Sequence, residues 1–112
     1  MSQNQLINIY VTCNNEQQAA QIASGVVSQG LAACGNIIGG VRSIYRWEGE
    51  VQDDTEVVII FKTRAGIAVK CMKKIEELHP YENPCIEVWP VAKAIDAFEE
   101  WIITETGGQL DE

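Results

Sequence analysis

Twice along this chain a run of β-branched and aromatic residues gives way to a helical repeat and then to a second extended run, an order that leaves few folds open. Leu6–Thr12, reading LINIYVT, is expected to be a strand buried on both faces. Asn14 and Asn15 follow as N-cap candidates, and Ala19, Ile22, Ala23 and Val26 recur at helical spacing until Gly30 stops the helix. Leu31–Trp47 is extended again. Gly39 and Gly40 interrupt it, which predicts a bulge or bend within one long strand. Glu48–Glu50 mark a turn, and the partner strand carries its apolar run at Val57–Phe61, with Asp53–Thr55 ahead of it as a solvated edge or a bulge. Thr63 is a cap candidate for a second helix in which Ala68, Cys71, Met72, Ile75 and Leu78 share one face. The ring of Pro80 ends that helix at His79. Pro84 opens a fourth strand, CIEVWPV, at a position where a missing N–H is tolerated. A third helix is expected from about Asp96 to Thr104, with Phe98, Trp101 and Ile102 turned inward.

The order β-α-β-β-α-β plus a terminal helix is the α+β ferredoxin-like arrangement of two split βαβ units around an antiparallel sheet. One domain spans residues 1–112, with an ordered core of about residues 6–105. A chain of this length buries well over half of its unfolded surface, so it needs neither disulfide nor metal to fold. Right-handed crossovers put both main helices on one side of the sheet. The other side is then bare and too apolar to stay wet, above all beside Tyr45 and Trp47, so self-association is the expected remedy.

A net charge of −8 repels phosphate backbones and anionic membranes and attracts cations, so nucleic acid and membrane surfaces are not expected partners. No apolar run reaches the roughly 20 residues of a membrane span. The opening MSQNQ has no basic region and no apolar signal core, which predicts a cytoplasmic protein. Cys13, Cys34, Cys71 and Cys85 form no CxxC pair and are expected as free thiols.

The residues with chemistry to offer are few. His79 is the only histidine; at the end of a helix it either caps the last carbonyls or serves as a metal ligand or proton carrier. Cys13 stands where the first strand meets a helix. There it is either an inert half-buried thiol or a thiol of lowered pKa that pairs with imidazole around copper or zinc. Cys34, Cys71 and Cys85 fall in apolar periodic runs and are assigned to the core. A Cys13–His79 hydrolase dyad lacks any signal for an oxyanion hole, so no enzyme is expected. GNIIGG is not a phosphate loop, because no Lys-Ser/Thr follows it. Trp47, Glu48, Glu56, Lys62, Tyr81 and Glu82 lie near strand ends, each either a solvated or interface residue or, together, the mouth of an inter-subunit cleft.

GLAACGNI, SIYRWEGEV, EVVIIFKT and HPYENPCI, in this order and at these distances, resemble the signature segments of the CutA divalent-cation-tolerance family over about Ile7 to Thr104. The resemblance implies a ferredoxin-like subunit in a tight homotrimer, with sheets packed edge to edge around a three-fold axis as in the PII signalling proteins. It implies a link to tolerance of copper and other divalent metals. It also implies Cys13 and His79 as metal ligands and Trp47, Glu56, Lys62 and Tyr81 as pocket residues. Leu78 stands where the double-histidine form of the motif has its first histidine, so one implied ligand is missing. The expectation is therefore a cytoplasmic homotrimer that binds an exchangeable divalent metal, copper first, zinc or others next. The alternatives are a PII-like trimer that takes a small molecule or a protein partner at its clefts, and an interaction module with no ligand.

Overall fold

The computed structural model describes residues 2–110. Its elements are β1 (Leu6–Cys13), α1 (Glu16–Ser28), β2 (Cys34–Trp47), β3 (Glu50–Arg64), a 3-10 turn (Ala65–Ile67), α2 (Ala68–Leu78), β4 (Ile86–Pro90) and α3 (Asp96–Glu105). The strands form one antiparallel sheet in the order β2-β3-β1-β4, the ferredoxin-like order.

Local chemistry explains most of these boundaries. Asn15 caps α1 by accepting from the Gln18 amide at 2.8 Å, while the Gln18 side chain accepts from the Asn14 amide at 2.9 Å, a reciprocal cap. Gly30, at φ +70°, ends α1; its amide bonds to Val27 O and that of Leu31 to Val26 O, the left-handed stop that glycine makes cheaply. Glu48 and Gly49 both have positive φ, 50° and 80°, and close the β2–β3 hairpin in the two-residue turn whose twist matches the strands. Asp53–Thr55 pair in register with Ser43–Ile44 and Arg42, so this polar stretch is continuous strand rather than a bulge. The long hairpin runs past the rest of the sheet, and the chain measures 53 × 25 × 22 Å.

The core lies between the sheet and α1 and α2. Ile7, Ile9, Val11 and Cys13 of β1 and Val57, Ile59 and Phe61 of β3 pack there against Ala19, Ile22 and Val26 of α1 and Cys71 and Ile75 of α2. β1 alternates between fully and partly buried residues, so only one of its faces is core, where burial on both was expected. Thr63 does not cap α2. It lies in β3 opposite Ile7 and donates to Leu31 O at 2.8 Å; α2 starts later and without a side-chain cap. Of the expected α2 face, Cys71 and Ile75 are buried and Ala68 and Met72 pack partly buried on the core, while Leu78 stays half-exposed with its tip against Gly25 of α1. On α3 the inward residues are Ile102 and Ile103, whereas Phe98 and Trp101 stack on each other on the exposed surface of the subunit. The C-terminal end of α3 is held by the buried Arg64, which donates to Thr106 Oγ1 at 3.0 Å and to Thr106 O at 2.9 Å.

Helices α1 and α2 cover one sheet face; on the other, α3 reaches only the end at Leu6 and Arg64, both buried there. The open face carries Asn8, Tyr10 and Thr12 of β1, Glu56, Val58, Ile60 and Lys62 of β3, and Trp89 of β4 by strand alternation. Among the described residues no helix is long and apolar enough to cross a membrane.

Candidate functional site

Gly39 and Gly40 decide what this face presents. Ile38 pairs with Val58 and Val41 with Glu56, so two residues of β2 stand against one of β3. Gly40 takes φ +72°, a conformation that side chains resist. The extra residue inverts the alternation: Ser43, Tyr45 and Trp47 now lie on the side that Asn36 and Ile38 occupy before it. In a regular ladder Arg42, Ile44 and Arg46 would face that way instead.

Beneath the overhanging hairpin this face forms a cavity of about 800 Å³. Its aromatic walls are Tyr10, Tyr45, Trp47 and Tyr81. Its acidic groups are Asp54, Glu56 and Glu82, with Arg46 the only cation on the lining. Two phenols fix two of the carboxylates: Tyr45 donates to Asp54 Oδ2 at 2.5 Å and Tyr81 to Glu56 Oε2 at 3.2 Å. Burial, then the Glu56 charge, pushes the Tyr81 phenol up to about 12. Glu56 also contributes to the upward shifts of Tyr10 and Tyr45. One carboxylate thus lends negative potential to most of the cavity. None of the three acidic groups is in an ion pair among the described residues, where the only salt bridges are Arg42–Asp53 and Lys74–Glu77.

His79 organises the far wall. It is buried at the end of α2, with Nε2 2.7 Å from Thr12 O, while Nδ1 accepts from the Tyr81 amide at 3.2 Å. A carbonyl can only accept, so the proton sits on Nε2, and both ring nitrogens are engaged. The ring meets Tyr81 edge-on at 4.6 Å. His79 therefore ties β1 to the loop that carries Tyr81, and through Tyr81 it sets the position of Glu56.

Cys13 lies in the core layer under the helices, fully buried. Burial first and the Glu56 charge second push its thiol up to about 11, opposite to the lowered pKa that proximity to α1 would give. Cys71 is buried as expected and is pushed up to about 12 by burial. Cys34 is only partly buried and Cys85 is exposed, so neither belongs to the core; Cys85 lines the cavity. Iodoacetamide at pH 8 is expected to label Cys85 in the folded protein while sparing Cys13 and Cys71, whose thiolate fraction is about a thousandth or less. Peptide mapping reads the outcome, and labelling of Cys13 at the rate of Cys85 would contradict the burial.

Of the sequence-selected pocket residues, the structure brings Trp47, Glu56 and Tyr81 to one cavity, with Glu82 beside them. Lys62 shares their sheet face but stands opposite Asn8 and Cys34, six residues along β3 from Glu56, and does not line the cavity. Sequence reading missed Tyr10 and Asp54. The signal for Asp54 was simple alternation along β3, where it stands two residues before Glu56 on the same face. Among the described residues no group of three His, Cys, Asp or Glu side chains is gathered closely enough to hold a metal ion.

Residues 7–105 match the family model described as CutA1 divalent ion tolerance protein. The chain is 37% identical over 99 residues to the divalent-cation tolerance protein CutA of Thermus thermophilus, covering 88% of this chain and 96% of that protein. It is 35% identical to human protein CutA over 87% of this chain but 55% of that protein, so it spans little more than half of that longer relative. The CutA1 crystal structure from Ehrlichia chaffeensis superposes with a TM-score of 0.88 at 31% identity, covering 95% of this chain and 99% of that one.

Proposed function

The chain belongs to the CutA1 divalent ion tolerance family, and from that premise we propose that it is a cytoplasmic homotrimer that binds divalent cations exchangeably and serves their tolerance rather than catalysing a reaction. The observation that carries this reading is the acidic cavity under the hairpin, with three carboxylates and one cation on its wall. Hard divalent ions take oxygen ligands, and carboxylates at an open mouth release them readily. One subunit does not gather a full ligand set, so a neighbouring copy or water completes the shell.

Three features support association. The open sheet face exposes Ile38, Tyr45, Trp47 and Trp89. The outer half of the hairpin, Glu50–Glu56 of β3, pairs with β2 alone and lies beside no other strand of this chain. The sheet also ends in two free edges, β2 and β4.

Cys13 and His79 remain the soft donors for copper or zinc in this reading. Reaching them requires opening the core around Cys13 and giving up the Thr12 and Tyr81 hydrogen bonds of His79. Ions that prefer oxygen meet the carboxylates without that rearrangement. Free thiols suit the reducing cytoplasm. A relative from Arabidopsis thaliana is named chloroplastic and one structure from Archaeoglobus fulgidus periplasmic, so the address differs within the family.

Calorimetric titration with Mn(II), Zn(II) and Cu(II) tests the proposal. We expect Glu56→Gln to weaken Mn(II) binding by about tenfold or more, with Cys13→Ser and His79→Ala affecting Cu(II) and Zn(II) more than Mn(II). No binding of any of these ions to the parent protein would overturn the reading. The aromatic walls of the cavity favour a second reading, a PII-like signalling trimer that holds a small molecule there.

A further inference from the structure

We propose that the cavity under the β2–β3 hairpin is a binding site for a small organic ammonium ion. The proposal rests on the reading of this cavity as a ligand site and names the class of ligand.

Four aromatic side chains, from β1, the outer half of β2 and the loop after α2, line one space: Tyr10, Tyr45, Trp47 and Tyr81. Ring faces attract a cation that has shed much of its water, and alkylated ammonium ions shed it far more easily than small divalent metals. The carboxylates of Asp54 and Glu56 stand among these rings, each oriented by a phenol and neither neutralised by an ion pair among the described residues. Each uses one oxygen on its phenol in these bonds, which leaves accepting capacity for an N–H donor. Glu82 adds a third negative group at the rim, against the single positive charge of Arg46. A carboxylate or phosphate ligand would meet this excess of negative charge. A neutral ligand would leave it uncompensated. A bare metal ion would waste the rings. A volume of about 800 Å³ exceeds the need of a metal ion and suits a small organic molecule.

The rigidity of the site points the same way. Tyr81 is fixed from below by the His79–Thr12 link and from its hydroxyl by Glu56. Tyr45 and Trp47 are on this side only because of the Gly39–Gly40 bulge. Burial raises the Tyr10 and Tyr81 phenols and the Asp54 bond raises that of Tyr45, and the Glu56 charge adds to all three.

The 112-residue chain labelled with 5-fluorotryptophan provides the test, because it gives one fluorine resonance each for Trp47, Trp89 and Trp101, assigned through single Trp→Phe variants. Tetramethylammonium and butylammonium chloride are titrated against sodium chloride and the neutral isostere tert-butanol. The expected result is a saturable shift of the Trp47 resonance by the two ammonium salts and no such shift by the controls. Glu56→Gln is expected to raise the midpoint ~10-fold or more. Asp54→Asn serves as the second variant should Glu56→Gln fail to fold. The proposal is overturned if the neutral isostere shifts Trp47 as the ammonium salts do, if no saturable shift occurs, or if the charge-removing variants leave the midpoint unchanged. The same sample titrated with Mn(II) separates the two readings. Binding of Mn(II) without a response to ammonium salts removes this proposal alone, and a response to ammonium salts without Mn(II) binding removes the divalent reading alone.

Discussion

Phe61→Ala is expected to destabilise the subunit by about 3–5 kcal/mol, close to the whole stability of many domains of this size. Phe61 is fully buried and is the largest such side chain, on the helix side of β3. Its ring lies where a side chain at Gly35 of the neighbouring strand would meet it at 3.1 Å, so the two positions are shaped to each other. Truncation removes the ring's transfer free energy and leaves a cavity between the sheet and its helices that rigid neighbours fill only in part. The loss is read as a lower urea midpoint with an unchanged slope. A cost under ~1 kcal/mol would mean that the helix side of β3 is not the core.

The adjacent residue is expected to fail differently. Ile60 points to the open face, between Tyr10 of β1 and Asn36 of β2, and is only partly buried in the subunit. In a trimer closed over that face, Ile60→Asp puts an unpaired carboxylate into each seam, and three copies of it repel one another. The variant is expected to keep its helices, since it leaves the helix-side core alone, and to lose its assembly. Circular dichroism should be near that of the parent while the hydrodynamic mass falls to that of one chain. If Ile60→Asp assembles like the parent, the open face is not the contact surface. The contrast between two neighbours in sequence follows from strand alternation alone.

The order of the elements, rather than which face each strand buries, was the legible part of the sequence. The β-branched and aromatic run of β1, the α1 repeat and its Gly30 stop, and the glycine break in β2 led directly to the observed order of elements. The misses share one cause, the need to know what lies across from a residue. Thr63 has a good capping side chain, but β3 continues through it because β1 pairs with it along its whole length. Phe98 and Trp101 fit a helical stripe, yet Ile102 and Ile103 hold the buried side of α3. Cys85 lies in an apolar run but precedes β4, whose register starts at Ile86, so it faces the cavity mouth. His79 was legible as a break in the chain. Its two hydrogen bonds, one to a residue 67 positions away, were not. Tyr10 reaches the site only through the pairing of β1 with β3, whereas Asp54 follows from Glu56 by alternation along β3. The site is therefore largely a product of tertiary register, and only Trp47, Glu56, Tyr81 and Glu82 were named without it.

The claim on which the rest depends is that copies of this chain close over the open sheet face and complete the cavity. Sedimentation equilibrium on the purified protein at micromolar concentration tests it most directly. The account predicts a single species of three times 12.4 kDa that persists on dilution and on removal of divalent ions with a chelator. A stable species of 12.4 kDa with a folded spectrum would contradict it, because the face carrying Tyr45, Trp47 and Trp89 would then have no partner to cover it.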